Sequence, residues 1–344
     1  DPERQQKIAT TLRIVIDRPP NGLLPGQTLD VTGRRFLPLL DEYELQPQTE
    51  NDVFDFKPKN PNAGRPNLEF TVVRDETTSA LKFLKGEADM LYDILSISKT
   101  EWIRKNRPEY RIFVHSGLNL SYIGFSNKHP ILKDIDVRRA IAMALPVKDW
   151  VKYKLFDWAD LSTEFVQINY DPEAAAKLLD KEGYPVQADG VRFRLNYFTT
   201  GVREGNETAL MVQEALKKIG IEVQVVTLDT LLYFQKMKKG EGDLFSTRWF
   251  RFDEKEPIAP YLSTDGTRNY LGYSNPKLDQ KLKKNPSLTQ RELADLLKKD
   301  FPFFPLYTWK HAVILQPRVW VENETRLSAN LDETFRFLLE LQLK

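Results

Sequence analysis

The chain contains no cysteine. That excludes disulfides, thiolate metal centres and a cysteine nucleophile. Histidine is nearly as scarce, with only His115, His129 and His311. No two of them stand at helical metal-ligand spacing, so the expectation is that no metal is bound and that the three are isolated core or surface residues. Glycine numbers 16 of 344 residues, and neither a phosphate-cradling glycine loop nor a nucleophile elbow occurs. An excess of one charge is missing too. Lys and Arg total 50 against 49 Asp and Glu, a net charge of +1, which gives no footprint for nucleic acid or an anionic membrane. No apolar run approaches the roughly 20 residues a membrane helix needs.

What remains reads as a globular protein of two domains. The length exceeds what one hydrophobic core usually holds. Hydrophobic residues at 41% and charged residues at 29% argue against a disordered chain.

One phrase occurs twice. "KFLKGEADML" spans residues 82–91 and "KMKKGEGDLF" spans 236–245. Around the second copy, Val191–Tyr197 alternates apolar and polar residues as a half-buried strand does. Asn206 is placed to cap the next helix, on which Val212, Ala215, Leu216 and Ile219 share a face. Gly220 ends that helix, and Ile221, Val223 and Val225 alternate as a second strand. Then "DTLLYFQKMKK" reads as a helix, Gly240 as its stop and "DLFSTRW" as a third strand. This is a β-α-β-α-β run, whose helical crossovers make neighbouring strands parallel. The first copy follows the same grammar: "LEFTVV" (68–73) as strand, Asp75 or Thr77 as cap, Gly86 as stop and 88–94 as strand. The repeated Asp is expected to close a turn by bonding its own backbone.

In parallel sheets, ligands sit beyond the carboxyl ends of the strands. Here those ends are "FTTG" (198–201), "TLDT" (227–230) and "RWFRFDEKEP" (248–257). The aromatic residues near them, Tyr122, Phe198 and Trp249 among them, serve either as core or as pocket lining.

Several stretches together resemble the extracytoplasmic solute-binding proteins of ABC transporters, in the peptide-, oligopeptide- and nickel-binding class (family 5). They are "FTVVRDETTSALKFLKGEADML", "LSYIGFSNKHPILKDIDVRRAIAMAL", "YDPEAAAKLLDKEGYP", "ALKKIGIEVQV", "YSNPKLDQKL" and "FPFFPLYTWKH", in family order over roughly residues 45–311. The resemblance implies an α/β, two-lobed periplasmic-binding-protein-like fold, with mixed sheets, flanking helices and hinge strands between the lobes. Lobe I is expected over 1–117 with 312–344 returning to it, and lobe II over 118–311. The chain is expected to cross near Ser116–Ser126 and near Pro305–Val313. The family's usual extra N-terminal subdomain is expected to be missing near 40–43, and Phe165–Val166 is a second short join.

The function implied is capture of a peptide or similar small solute in an interlobe cleft, and delivery to a membrane permease. No cofactor, no nucleic acid and no chemistry are expected, and contact with the membrane is only peripheral. The location implied is periplasmic or extracytoplasmic, with a lipid-anchored precursor as one form. The resemblance assigns the ligand's α-amino group to Asp253, which stands four residues before Pro257. Trp249, Arg251, Tyr122, Phe198, Thr199 and Arg203 complete the expected ligand-binding set. One extra residue between Trp249 and Asp253, and Arg248 in place of the family's Gly, are departures from the pattern. Two other readings stand beside this one. The first is an interaction or scaffold protein on the same fold. The second is a hydrolase using carboxylates such as Asp253 and Glu256.

Overall fold

The structure is a computed structural model that describes residues 2–19, 23, 33, 35–48, 50–163, 165–200, 203–249, 258–324, 327 and 334–343. The chain divides into two compact units. One comprises Asp1–Gly117 with Lys310–Lys344, and the other Leu118–Trp309. The division falls inside two long strands, Arg111–Phe125 and Phe303–Leu315, so the chain passes from unit to unit twice.

In the first unit the strand order is Tyr43–Leu45, Val53–Pro58, Asn67–Val72, Thr11–Ile16, Met90–Tyr92 and then the end of Phe303–Leu315. Thr11–Ile16 runs parallel to both its neighbours, while Val313–Leu315 lies antiparallel to Met90–Tyr92. The core beneath is aromatic. Phe36 lies 4.8 Å from Phe70 and 4.7 Å from Phe335, both edge-on, and Tyr92 meets Phe335 at 4.9 Å. Each such pair adds about 0.5–1.5 kcal/mol beyond the area it buries. Phe335, Phe337, Leu338 and Leu341, from the C-terminal tail, belong to this core.

In the second unit, Phe193–Thr199 pairs in parallel with Ile221–Thr227 on one side and with Leu244–Trp249 on the other. Leu244–Trp249 in turn lies antiparallel to Leu120–Phe125. The β-α-β-α-β reading therefore holds, with the middle strand of the chain order at the sheet's edge. Both faces are buried, and the two-residue period of a strand sorts its side chains between them. Ile123, Phe125, Tyr197 and Leu244 enter one core, whereas Leu120, Tyr122, Phe198 and Phe245 enter the other. Gly124 stands opposite Phe245 because a Cβ there would lie 2.2 Å from the Phe245 ring.

The helices begin where the sequence places polar caps. Asp75 accepts from the Thr78 amide at 2.7 Å, Asp171 from Ala174 at 2.8 Å and Asp229 from Leu232 at 3.0 Å. Such caps are worth about 1 kcal/mol each. Left-handed glycines follow several helices: Gly86 follows Glu76–Leu84 with φ +70°, Gly220 follows Arg203–Lys217 with φ +80° and Gly240 follows Thr230–Lys239 with φ +73°. Arg138, on the helix Ile135–Met143, is buried and pins three segments at once. Its guanidinium donates to the carbonyls of Leu132, Lys133, Asp300 and Phe301 at 2.6–3.0 Å. Burial lowers its pKa to about 10, still high enough to keep it charged.

Three local expectations are corrected. The helix expected to start at Asn206 starts at Arg203, which puts Asn206 inside its first turn. Gly205, in this first turn, sits so close to Thr199 that an added Cβ would meet its Oγ1 at 3.0 Å. The strand expected over 88–94 is Met90–Tyr92, ended by Asp93 in the left-handed region at φ 50°.

The third correction concerns the repeated Asp, which bonds a neighbouring strand rather than its own turn. Asp89 accepts from the Arg13 amide at 2.9 Å, and Asp243 from the Asn196 amide at 2.7 Å. The backbone carbonyl of each Asp also takes the amide just past the antiparallel neighbour, from Gln316 to Asp89 and from Ser126 to Asp243, both at 2.9 Å. Each unit thus uses its Lys-Gly-Glu-x-Asp at the same place in the same three-strand arrangement.

Candidate ligand-binding site

The three parallel strands of the second unit bring their carboxyl ends to one edge. Thr199 is in register with Thr227, and Phe245 with Phe198, so Trp249 extends beyond Thr199 along the same direction. On the antiparallel side Trp249 faces Leu120, Arg248 faces Ser121 and Thr247 faces Tyr122. The helix Arg203–Lys217 starts from this edge, immediately after the Phe193–Thr199 strand. The connection is tied down by the Leu228 amide, which donates to the Thr199 carbonyl at 2.9 Å.

The expected site residues divide into two groups. Trp249 and Arg203 are placed by their backbones, at the last position of one strand and the first of a helix, and both stand at this edge. Their side chains lie outside what the structure describes, as do Arg251 and Asp253 entirely. In sequence, Asp253 stands four residues after Trp249, the last residue of the Leu244–Trp249 strand. Tyr122, Phe198 and Thr199 are buried, with 2%, 7% and 2% of their surface exposed. Tyr122 packs edge-on against Phe303 at 5.0 Å and Phe245 at 6.5 Å. Tyr122 and Phe198 thus pack in the second unit's core beneath the edge.

Two polar atoms at this edge were not foreseen. The Ser121 Oγ and the Asn206 Oδ1 are buried and have no hydrogen-bond partner among the described residues. Ser121 lies opposite Arg248, and Asn206 stands in the first turn of the helix that starts here. A buried donor or acceptor left unpaired costs about 1–3 kcal/mol, so such groups call for a partner. The only sequence sign of Ser121 is a hydroxyl in the otherwise apolar "LSYIGF", while Asn206 is naturally read as a cap.

Two groups elsewhere are structural. Burial pushes the Tyr233 phenol well above its usual range; its hydroxyl donates to the Ser246 carbonyl at 3.2 Å. Asp134, Asp136 and Glu182 bring carboxylate oxygens within 4.8 Å of one another. They are already engaged: Asp134 caps the Asp136 amide, Asp136 pairs with Arg139 and Glu182 pairs with Lys181. Among the described residues, no helix is long and apolar enough to cross a membrane.

Residues 54–270 match the bacterial extracellular solute-binding proteins, family 5 (middle region). Over 249 residues the chain is 25% identical to heme-binding protein A of Haemophilus influenzae, covering 65% of this chain and 44% of that protein. It is 24% identical over 261 residues to the oligopeptide-binding protein AppA of Bacillus subtilis, covering 67% of this chain and 47% of AppA. The chain thus spans about half the length of the curated relatives it matches. Among solved structures, NikA of Brucella suis in complex with Fe(III)-EDTA shares the fold with a TM-score of 0.74 at 18% identity, over 88% of this chain and 68% of NikA. DppA of Helicobacter pylori in complex with the peptide STSA does so with a TM-score of 0.66 at 19% identity, over 92% and 68%. These likenesses give the fold as periplasmic-binding-protein-like. With the match covering more than half of the chain, the chain belongs to the bacterial extracellular solute-binding proteins of family 5.

Proposed function

We propose that this chain is the substrate-binding component of an ABC transporter, capturing a peptide or similar small solute outside the cytoplasm and presenting it to a membrane permease. The observation that carries the reading is the family match over residues 54–270, in a family of solute binding and transport. The relatives named above bind heme or oligopeptides, by their names, and one solved neighbour holds a peptide. On this reading the ligand is held at the strand-end edge of the second unit. Asp253 receives the solute's ammonium, in a charge-assisted bond strengthened where water is excluded. Trp249 supplies an aromatic wall, and Arg203 and Arg251 pair with a carboxylate. Ser121 and Asn206 are added to this set, since a polar solute gives their buried oxygens the partner that the described residues do not. Binding favours one conformation of the protein, which the permease reads.

The test is native mass spectrometry of the purified protein, followed by denaturation to release and identify what is bound. A co-purified peptide or solute, lost in Asp253→Ala, supports the reading. An empty protein whose melting temperature no peptide or solute library moves overturns it.

A further inference from the structure

The second copy of the repeated phrase does more than end a helix. Lys238, Lys239 and Gly240 border a cavity of about 740 Å³ that lies wholly within the second unit. Its other walls come from Ser126 and Lys128, and from the loop Thr264–Gly272. The volume falls in the range of small-molecule sites, about 300–1,000 Å³. The cavity is not part of the edge described above. Ser126 follows Phe125, which is in register with Leu244 at the start of the Leu244–Trp249 strand. Trp249, at the strand's other end, is five residues on, roughly 17 Å at the usual strand rise.

The lining is cationic in a chain that is otherwise nearly neutral. Lys128, Lys238 and Lys239 face one carboxylate, Asp265, for a net charge of +2. The nearby Lys236 is neutralised by Glu241 at 2.5 Å, and Lys239 also feels that carboxylate, but none of the three lining lysines makes a direct ion pair among the described residues. Gln235, Met237 and the polar residues Ser126 and Thr267 complete the wall, while the Thr264 hydroxyl is engaged by Asp279 at 2.6 Å.

The loop is held in shape without any ligand. The Asn269 amide donates to the carbonyls of Ser263 and Tyr273, at 2.9 and 2.8 Å, and accepts from the Tyr273 amide at 3.3 Å. Gly266 approaches Pro260 so closely that a Cβ would lie 2.4 Å from the carbonyl oxygen. Gly272, at φ +60°, lets the aliphatic stem of Lys128 lie across the backbone, within 3.2–3.4 Å of where a Cβ would be. A preset wall of this kind lowers the ordering cost of binding.

We propose that this cavity binds a small polyanion, a phosphate ester or a polycarboxylate, held by Lys128, Lys238 and Lys239. The inference stands apart from the transport reading, since it uses different residues at the other end of the strands.

The test is calorimetric titration of the whole chain with inorganic pyrophosphate and, separately, with citrate, at low and high salt. Saturable binding of either probe is expected, weakening as salt rises. The two probes tell phosphate from carboxylate recognition. The triple variant Lys128→Gln/Lys238→Gln/Lys239→Gln is expected to lose about tenfold or more in affinity, with peptide or solute binding unchanged. Asp265→Asn removes the one repelling carboxylate and is expected to tighten binding severalfold, a gain that misfolding cannot produce. Absence of binding to wild type, binding that survives the triple substitution, or an Asp265→Asn variant that binds no tighter would each overturn the proposal.

Discussion

The carboxylate of Asp89 receives three hydrogen bonds from Arg13, from its amide and Nε at 2.9 Å and from its Nη2 at 2.8 Å. Arg318 adds its own Nε at 2.6 Å and an Nη2 contact. The group is 1% exposed and sits between two guanidinium ions. Removing one partner from such a buried set leaves charges without compensation, at a cost of about 3–5 kcal/mol. Asp89→Ala is therefore expected to lower the urea midpoint of the first unit sharply. Asp243→Ala gives up one backbone bond and a 3.7 Å contact to His129, and is expected to cost only about 1–3 kcal/mol. Equal losses in the two variants would contradict this account.

The same carboxylate sets an acid limit. Burial alone would raise its pKa, but the hydrogen bonds from Arg318 and Arg13 outweigh burial and hold it below the ordinary 3.8. A depressed folded-state value contributes stability that is fully present above 3.8 and is lost as pH falls through the lower, folded value. The stability gap between wild type and Asp89→Asn should thus be flat near neutral pH and shrink only in strongly acidic solution. Urea titrations from pH 7 down to about pH 3 check this; a gap that closes near neutrality would contradict it.

Arg138 predicts a failure of conservative replacement. Four carbonyls share its planar fork, and a lysine ammonium cannot match that geometry. Arg138→Lys is expected to cost about 2–4 kcal/mol of the second unit's stability, measured by denaturant midpoint. A change within about 0.5 kcal/mol, the usual size at unremarkable surface positions, would mean the carbonyls are served by water.

Ser121 separates binding from stability. Its buried hydroxyl has no partner among the described residues, so Ser121→Ala should leave the melting temperature unchanged or raise it. The same variant should weaken capture of the co-purified solute about threefold to tenfold. Reduced stability with unchanged affinity would assign the hydroxyl a structural task instead.

Gly124 tests close packing in the sheet. Gly124→Ala drives a methyl into the Phe245 ring and should cost about 1–3 kcal/mol. Pairing it with Phe245→Leu should recover part of that loss, as read by thermal melting.

Much of this was legible in the sequence because local chemistry repeated it. The alternation read at 191–197 and 221–225, which the strands Phe193–Thr199 and Ile221–Thr227 answer, and Gly240 as a stop all act within a few residues of themselves. What escaped depends on distant neighbours. The early start at Arg203 brings Gly205 against Thr199 at the end of the preceding strand, an approach no capping pattern announces. The Asp89 and Asp243 clamps follow from strand order, which no window of ten residues contains. Tyr122 and Phe198 carried an aromatic signal that suits a pocket or a core equally, and their burial supports packing. The Ser121 hydroxyl left only the faint sign of one polar residue in "LSYIGF", since a serine in a strand is unremarkable until its surroundings are known.

The paired aspartates also rule on where the chain tolerates added length. Each must meet a fixed amide on the adjacent strand, Arg13 for one and Asn196 for the other. A single residue inserted between Gly86 and Asp89, or between Gly240 and Asp243, either pulls the carboxylate off its amide or shifts the next strand by one, turning every side chain to the opposite face. The exposed turn at 185–190 is held by local bonds, Asp189 to the Val191 amide and to Arg194, and none of them fixes the register of one strand on another, so it absorbs insertions more readily. Length variation among relatives of this chain should therefore gather in that turn and stay out of both Lys-Gly-Glu-x-Asp corners.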